Sequence, residues 1–127
     1  MSRPALLDAS FLIDLERETA LGEVGPARRF LNVLRGRPIA VSVVTVAELL
    51  EGADDESATW RSLQRFVIQG VHTAQARNWA RLRRGAPRQM SENDGWLVAT
   101  AESIDADVVG ADRAAFERLG ERYLRFR

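Results

Sequence analysis

Short apolar segments of strand length alternate with helical patterns along almost the whole chain, and this alternation restricts the fold more than any other feature. The strand-like runs cover residues 4–7, 38–43, 107–110 and 122–126, the last as an edge strand. The helical patterns cover residues 10–17, 25–34, 45–51, 57–68, 74–84 and 92–103. Parallel strands need crossover connections, usually helices, so this order predicts an α/β fold with a mostly parallel sheet covered on both faces. The pattern over 74–84 also fits one long bent helix with its predecessor, although the break at residues 70–73 favours two helices.

The composition limits the chemistry available to the chain. Its 127 residues match a single domain over residues 1–127, and 46% of them are hydrophobic, enough for one core. It has no cysteine, which excludes disulfides and thiolate sites and fits a reducing, cytoplasmic location. All 18 basic residues are arginines and balance 18 acidic residues, so net charge gives no general attraction to nucleic acid. No apolar run has the length of a signal peptide or a membrane span, so we expect no membrane contact.

Four acidic residues from distant parts of the chain fall where the predicted strands end or the following helices begin. Asp8 ends the first strand, Glu48 lies in the first turn of the helix after the second, Asp94 opens a helix, and Asp112 follows the third strand. In a parallel sheet these ends lie at one edge, where ligands of such folds bind. The sequence therefore predicts one cleft lined by four carboxylates.

Each of these acids also has a purely local interpretation as a helix cap. Residues 45–48 have the pattern of a capping box, and residues 91–94 have a weaker version of it. Asp8 and Asp112 are good N-cap residues, each worth about 1 kcal/mol in that role. Capping explains any one acid well, but four such coincidences at one sheet edge favour a site.

A cluster of carboxylates needs protons or a cation. Two carboxylates about 5 Å apart repel by roughly 3 kcal/mol at an effective dielectric constant near 20. Oxygen ligands suit Mg²⁺ or Mn²⁺, while a single histidine, His72, and no cysteine make a zinc site a poor alternative. A hard divalent ion held by carboxylates indicates phosphoryl chemistry.

Four blocks of sequence, in order, resemble the PIN-domain nucleases, and the small size resembles the VapC-type toxins of bacterial toxin–antitoxin pairs. The blocks are LLDASFLIDL at residues 6–15, SVVTVAELLEG at 42–52, NDGWLVATA at 93–101 and VVGADRAAF at 108–116. This resemblance implies an α/β/α sandwich and a ribonuclease that depends on Mg²⁺ or Mn²⁺. It implies metal-ligand and catalytic roles for Asp8, Glu48, Asp94 and Asp112.

The resemblance also identifies weaker features of the expected site. Ser10 stands where the family often has asparagine, and Glu92 lies beside the third block; both are expected to support the site. Asp14 could assist too, although a place on the helix surface fits it better. The fourth block has Gly110 where the family often has threonine and Ala115 where it often has aspartate. Those two departures leave a second interpretation open, a weak or inactive PIN-fold module that binds RNA or protein.

Arginine clusters supply candidate contacts to RNA, with a solvated helix face as the alternative. The first group is Arg77, Arg81, Arg83, Arg84 and Arg88, and the second is Arg28, Arg29, Arg35 and Arg37. We expect Trp60, Trp79 and Trp96 in the core rather than stacked on bases. The resemblance further implies a homodimer and a small antitoxin partner, for which Phe11, Leu12 and Phe30 could offer apolar surface.

Two other functional classes fail on the residues. A phosphoryl-accepting receiver domain needs a lysine near its acids, and the chain has none. A nucleotide-binding module needs a glycine-rich phosphate loop after a strand, and no strand is followed by one.

Overall fold

A single five-stranded parallel sheet forms the centre of the molecule. The structure is a computed structural model, and it describes residues 3–85, 91–111 and 122–127. The strands, in chain order, are β1 Ala5–Leu7, β2 Ile39–Ser42, β3 Val67–Gln69, β4 Asp107–Gly110 and β5 Tyr123–Arg125. Their order in the sheet is β3-β2-β1-β4-β5, and every neighbouring pair is parallel. The first strand therefore lies in the middle, and the predicted parallel sheet is confirmed.

Helices cover both faces of the sheet and make the α/β/α sandwich. They are α1 Ala9–Leu21, α2 Pro26–Val33, α3 Val43–Glu51, α4 Glu56–Leu63, α5 Thr73–Gly85 and α6 Glu92–Ile104. Alternate strand residues point to opposite faces: Leu7 packs with α1 to α4, whereas Leu6 packs with α6. Both are fully buried, as is usual when helices cover a parallel sheet on both sides. No helix in the described part of the chain has the length and apolar character to cross a membrane.

The sequence pattern was wrong about the end of the fourth helix. Residues 57–68 are predicted as one helix, but α4 ends at Leu63, and Val67 begins β3. Ile68 pairs with Val41 of β2, which places β3 at the edge of the sheet. Val67 is 65% exposed and the other two residues of β3 are only half-buried, so the strand has little of the burial that marks a central strand.

The predicted capping box at the start of α3 is also wrong. The helix begins at Val43, and the Ser42 hydroxyl caps it by accepting a hydrogen bond from Val44 N at 3.2 Å. Thr45 is buried within the helix, so Glu48 lies in the second turn rather than the first. The weaker cap at α6 is confirmed, because Ser91 Oγ accepts from Asp94 N at 3.1 Å.

A buried carboxylate from α1 caps α2. Glu18 accepts hydrogen bonds from three backbone N–H groups, those of Gly25, Ala27 and Arg28, each at 2.9 Å. Although burial alone raises a carboxyl pKa, these donors hold the pKa of Glu18 below its ordinary value. A Cβ on Gly25 would lie 2.6 Å from the Glu18 carboxylate, so the close approach requires glycine there. The contact joins the end of α1 to the start of α2.

Candidate active site

Asp8 lies at the carboxyl end of the central strand, between β1 and α1. It is the N-cap of α1, and its Oδ1 accepts a hydrogen bond from Phe11 N at 2.9 Å. Ser10 Oγ donates to the same oxygen at 2.6 Å. Capping is therefore confirmed for this residue, and because it uses only one carboxylate oxygen it is compatible with the predicted site role.

Ser10 also ties the end of β4 to this carboxylate. Its hydroxyl oxygen accepts a hydrogen bond from Ala111 N at 3.1 Å while the hydroxyl hydrogen is directed at Asp8. One serine thus joins the start of α1 to the residue after β4, across a sequence separation of about a hundred residues. This geometry gives Ser10 the supporting position that the sequence predicts for it.

Gly110 allows the Asp8 carboxylate to approach the backbone of β4. A Cβ at this position would lie 2.0 Å from Asp8 Oδ2 and 2.6 Å from Asp8 Cγ. No side chain fits there unless Asp8 moves, because real Cβ contacts are never so short. The sequence interpretation treated Gly110 only as a lost hydroxyl, so it missed this role, and the approach of two distant segments leaves no signal in sequence.

Asp94, in the first turn of α6, is close enough to influence Asp8. Burial raises the pKa of Asp8 most, and the negative charge of Asp94 raises it further, against the lowering effect of the Ser10 and Phe11 hydrogen bonds. Asp8 is 5% exposed, whereas Asp94 is half-buried. Two acids that are far apart in the sequence therefore influence each other near the carboxyl edge of the sheet, and one of them, Asp8, is desolvated.

The other predicted site residues are less close or lie outside the described part. Glu48 is exposed on α3, and Glu92 is exposed at the first residue of α6. Within residues 3–85, 91–111 and 122–127, no three acidic or histidine side chains form a group that could hold a metal ion. Asp112 and Arg88 are not among those residues. The structure thus brings together Asp8, Ser10 and Asp94 of the predicted set.

The basic helix α5 runs beside α6. Its inner face carries Gln75, Asn78, Trp79 and Leu82, and Asn78 Nδ2 donates to Ala99 O of α6 at 3.3 Å. On another face Arg77, Arg81 and Arg84 are exposed, at spacings of four and three residues. Only residues 86–91 separate the two helices in the chain, so the last turn of α5 lies toward the first turn of α6, where Asp94 is.

The tryptophans only partly follow their predicted burial. Trp60 is 45% exposed on α4, so its core assignment is wrong. Trp79 and Trp96 are half-buried and pack together between α5 and α6, with ring centroids 5.6 Å apart. Trp79 occupies the space that a Cβ on Gly95 would take, and the Arg83 guanidinium lies 5.1 Å from its ring centroid. This pair joins the arginine helix to the helix of Asp94.

Two further interpretations of charged residues need correction. Asp14, expected on the helix surface, is 4% exposed and forms ion pairs with Arg17 and Arg127. Arg37, which the sequence grouped with possible phosphate contacts, forms an ion pair with Asp107 at 2.5 Å. Asp107 is the first residue of β4, so this pair lies at the opposite end of the strands from Asp8. Sequence spacing could not reveal either pair, because their partners are far away in the chain.

A groove runs between α1, α3 and α4. One half, of about 310 Å³, has an apolar floor that includes Leu15, Leu49 and Phe66, with Arg61 and Arg65 at its rim. The other half, of about 360 Å³, is lined by the acids Glu16, Glu48, Asp54 and Asp55. Phe11 and Leu12, expected as exposed apolar surface, are instead buried in the core, although Leu12 reaches the groove.

The donor set at the sheet edge fits a hard divalent cation. Asp8 is desolvated and has a neighbouring acid whose charge opposes its ionisation, so a cation there would relieve both penalties. All the side-chain atoms offered are oxygens, as Mg²⁺ and Mn²⁺ prefer. No sulfur or imidazole from the described residues joins Asp8 and Asp94 to make a softer site.

Fold and site together define an α/β protein with paired acids at the carboxyl edge of a parallel sheet. The chain belongs to the PIN-domain family, whose model matches residues 5–122. PIN domains are generally nucleases, and such nucleases generally use divalent metals. The family resemblance inferred from the four sequence blocks is confirmed.

Solved structures share the fold over nearly the whole chain. A toxin–antitoxin complex from Klebsiella pneumoniae is similar with 23% identity and a TM-score of 0.78, covering 97% of this chain and 98% of that one. DNA-bound VapBC from Salmonella typhimurium is 20% identical with a TM-score of 0.76, covering 99% of this chain and 100% of that one. VapBC-5 from Mycobacterium tuberculosis is 25% identical with a TM-score of 0.67, covering 99% of each chain. Comparison with curated proteins gives no match.

Proposed function

We propose that this protein is a metal-dependent ribonuclease that acts as the toxin of a toxin–antitoxin pair. The observation that carries the proposal is the desolvated carboxylate of Asp8, held beside Asp94 at the carboxyl end of the central strand of a PIN fold. Its solved neighbours from toxin–antitoxin complexes support the toxin role. RNA as the substrate follows from the sequence resemblance.

Asp8 and Asp94 would hold Mg²⁺ or Mn²⁺, with Glu48 and Asp112 as the further predicted ligands. When bound, the ion supplies a lower pKa for the attacking water and positive charge opposite the phosphate. The reaction adds water across a phosphodiester bond, and the ribose 3′-oxygen leaves. Ser10 and Phe11 N fix the direction of the Asp8 carboxylate before substrate arrives.

Cleavage of a mixed RNA pool with Mn²⁺ and with EDTA tests the activity. We expect fragments with Mn²⁺ and none with EDTA. A rise in melting temperature on adding Mn²⁺ or Mg²⁺ should accompany activity, because an ion that binds only the folded chain stabilises it. A folded protein that neither cleaves nor gains stability from either ion would favour the alternative, an inactive PIN-fold binding module.

The exposed arginine stripe Arg77, Arg81 and Arg84 on α5 is the proposed contact to the RNA backbone, with Arg88 as its predicted continuation. The guanidinium groups of Arg77, Arg81 and Arg84 lie on the solvent face of a helix that packs against the helix of Asp94. Arg81 donates a hydrogen bond to Asn78 Oδ1 at 2.7 Å, and in the described part of the chain none of the three arginines forms an ion pair that a phosphate would have to displace.

Replacing both Arg77 and Arg81 by alanine is expected to weaken RNA binding and its dependence on salt. Each lost phosphate contact on a single strand should reduce the slope of log K against log salt by about 0.7. Affinity measured at several salt concentrations checks this, with Arg61→Ala as a matched control on an exposed arginine of α4. Unchanged affinity and slope would leave the stripe as a solvated helix face.

The groove between α1, α3 and α4 is the proposed docking site for the antitoxin. Its apolar floor and its arginine rim at Arg61 and Arg65 fit an apolar segment that carries acidic residues at one end. The acidic half beyond it, which includes Glu48, fits basic residues at the other end of the same segment. A partner seated in this way would reach a predicted site acid. A homodimer stays a prediction, which the mass of the protein in solution checks.

Charge reversal at the rim separates partner binding from catalysis. The double variant Arg61→Glu and Arg65→Glu should weaken the complex with the product of the neighbouring gene at least tenfold, because both charges then repel the acidic end. RNA cleavage by the free variant should stay at the original rate. A complex of unchanged affinity would exclude this groove as the docking site.

A further inference from the structure

We infer that Phe126 and Arg127, which follow β5, are positioning residues for Asp8. Both residues act on the two segments that hold the Asp8 carboxylate rather than on the carboxylate itself. Those segments are α1, of which Asp8 is the N-cap, and the end of β4 at Gly110 and Ala111. The inference rests on the proposed function for its catalytic consequence, although its structural part stands independently.

The first link joins the end of β4 to β5. Gly110 pairs with Arg125 in the parallel ladder, and Phe126 N donates a hydrogen bond to Gly110 O at 3.3 Å. Gly110 is the residue against which Asp8 Oδ2 lies, and the next amide, Ala111 N, donates to Ser10 Oγ. The backbone that contacts the carboxylate on this side is thus held in place by the segment after β5.

The second link joins the same segment to α1. The Phe126 ring packs edge-on against Phe11, with centroids 4.8 Å apart at an angle of 78°. Phe11 is fully buried, and its backbone N–H donates to Asp8 Oδ1. Arg127 Nε donates to Asp14 Oδ2 at 2.6 Å. Asp14 follows Phe11 by less than one turn of α1.

Together the two links make a clamp, defined as Phe126 with Arg127. It sets the distance between α1 and the end of β4, and Asp8 with Ser10 fills that distance. If the clamp loosens, the Ser10 bridge to Ala111 N lengthens and the carboxylate loses its fixed direction. Groups that orient a metal ligand typically change metal affinity or activity by about ten- to a hundredfold.

Asp14 offers a matched pair of variants, because it has two arginine partners. Arg127 binds Oδ2 from the segment after β5, whereas Arg17 binds Oδ1 at 3.1 Å from the same helix. Both side chains are at least half exposed, so either alanine variant should fold. Only Arg127→Ala removes a link between α1 and β5, and Arg17→Ala controls for the loss of an ion pair to Asp14.

Amide hydrogen exchange at Ala111, measured without metal or RNA, tests the structural part. We expect exchange at Ala111 to be about tenfold faster in Arg127→Ala and unchanged in Arg17→Ala. Exchange at Val98, a buried residue of α6, should be unchanged in both, because it reports opening of the whole fold. Equal acceleration at Val98 and Ala111, or no acceleration at Ala111, would overturn the clamp.

Mn²⁺ affinity and cleavage kinetics then test the consequence. Arg127→Ala should bind Mn²⁺ about tenfold more weakly and lower kcat with little change in KM, and Arg127→Lys should recover part of both. Faster Ala111 exchange in a protein that never cleaves RNA would keep the clamp and remove the proposed function. Faster exchange with unchanged Mn²⁺ affinity and unchanged kcat would overturn the positioning role.

Discussion

Asp8→Asn should abolish RNA cleavage while leaving the protein folded, and it should have the largest catalytic effect of any single change to the described site. The substitution removes the desolvated negative charge of Asp8 at the carboxyl edge of the sheet. A ligand to the ion contributes several kcal/mol of transition-state stabilisation, which corresponds to roughly a thousandfold in rate or more. Asparagine still caps α1, since it accepts the Phe11 N–H as aspartate does.

The same variant should be relatively more stable than the original protein at neutral pH when no metal is present. The folded pKa of Asp8 is raised above its ordinary value of 3.8, first by burial and then by the charge of Asp94. Its contribution to stability is therefore fully present below that value and is lost as the pH rises through the folded pKa. Asparagine does not titrate, so the advantage of Asp8→Asn should grow from acid to neutral pH.

Urea unfolding in EDTA at pH 4 and pH 7, with cleavage assays alongside, checks both effects. Glu102→Gln, an exposed acid on α6, serves as the control and should leave cleavage and stability unchanged. Full metal-dependent cleavage by Asp8→Asn would remove Asp8 from the site. A stability difference that is the same at both pH values would show that Asp8 carries no penalty when it is ionised.

The cost of burying a carboxylate explains why Asp8 could be singled out from the sequence as a candidate site residue. A carboxylate within a buried apolar run opposes folding unless it has a partner or a role. That local conflict, at the end of the first predicted strand, is what pointed to the carboxyl edge of the sheet as the predicted site. The four sequence blocks identified the family for the same reason, because each places an acid where a strand ends or a helix begins.

Features that depend on contacts between distant segments could not be predicted in this way. The edge strand β3 has no buried apolar run, so its residues look like the end of a helix. Asp14 has the spacing of a surface residue on α1, but Arg127 covers it from the other end of the chain. Glu18 looks like another surface acid, yet it caps α2. In each case the partner, not the local pattern, decides the burial.

The candidate site residues also differ in whether a local pattern or a contact between distant segments determines their position. The sequence prediction began α3 too late. Ser42 and Thr45 are both suitable N-cap residues by type, and the structure uses Ser42. Glu48 thus lies one turn further along the helix and remains a predicted ligand, as does Asp112. Gly110 illustrates the limit most clearly, because a glycine has no side chain from which to infer a partner.

Gly110→Ala should disrupt the site almost as strongly as the loss of Asp8. The new methyl group would lie 2.0 Å from Asp8 Oδ2, on a fully packed strand whose backbone is held by β1 and β5. Either the carboxylate swings away, breaking its bonds to Ser10 and Phe11 N, or β4 shifts. Overpacking of this kind typically costs about 1–3 kcal/mol, and we expect cleavage to fall at least a hundredfold.

Threonine at the same position makes the sharper experiment, because the family often has threonine there whereas this structure has no room for it. If Gly110 were a decayed residue, Gly110→Thr would restore activity; we expect it to fail at least as badly as alanine. Melting temperature, Mn²⁺ affinity and cleavage of both variants would be compared with Gly85→Ala. A Cβ at Gly85 meets nothing within 4 Å, so that variant should be neutral. Retained activity in Gly110→Ala would mean that Asp8 does not work from the position it occupies here. Loss of cleavage in both Gly110 variants, with cleavage by Gly85→Ala unchanged, would mean that the site requires a residue without a side chain at position 110.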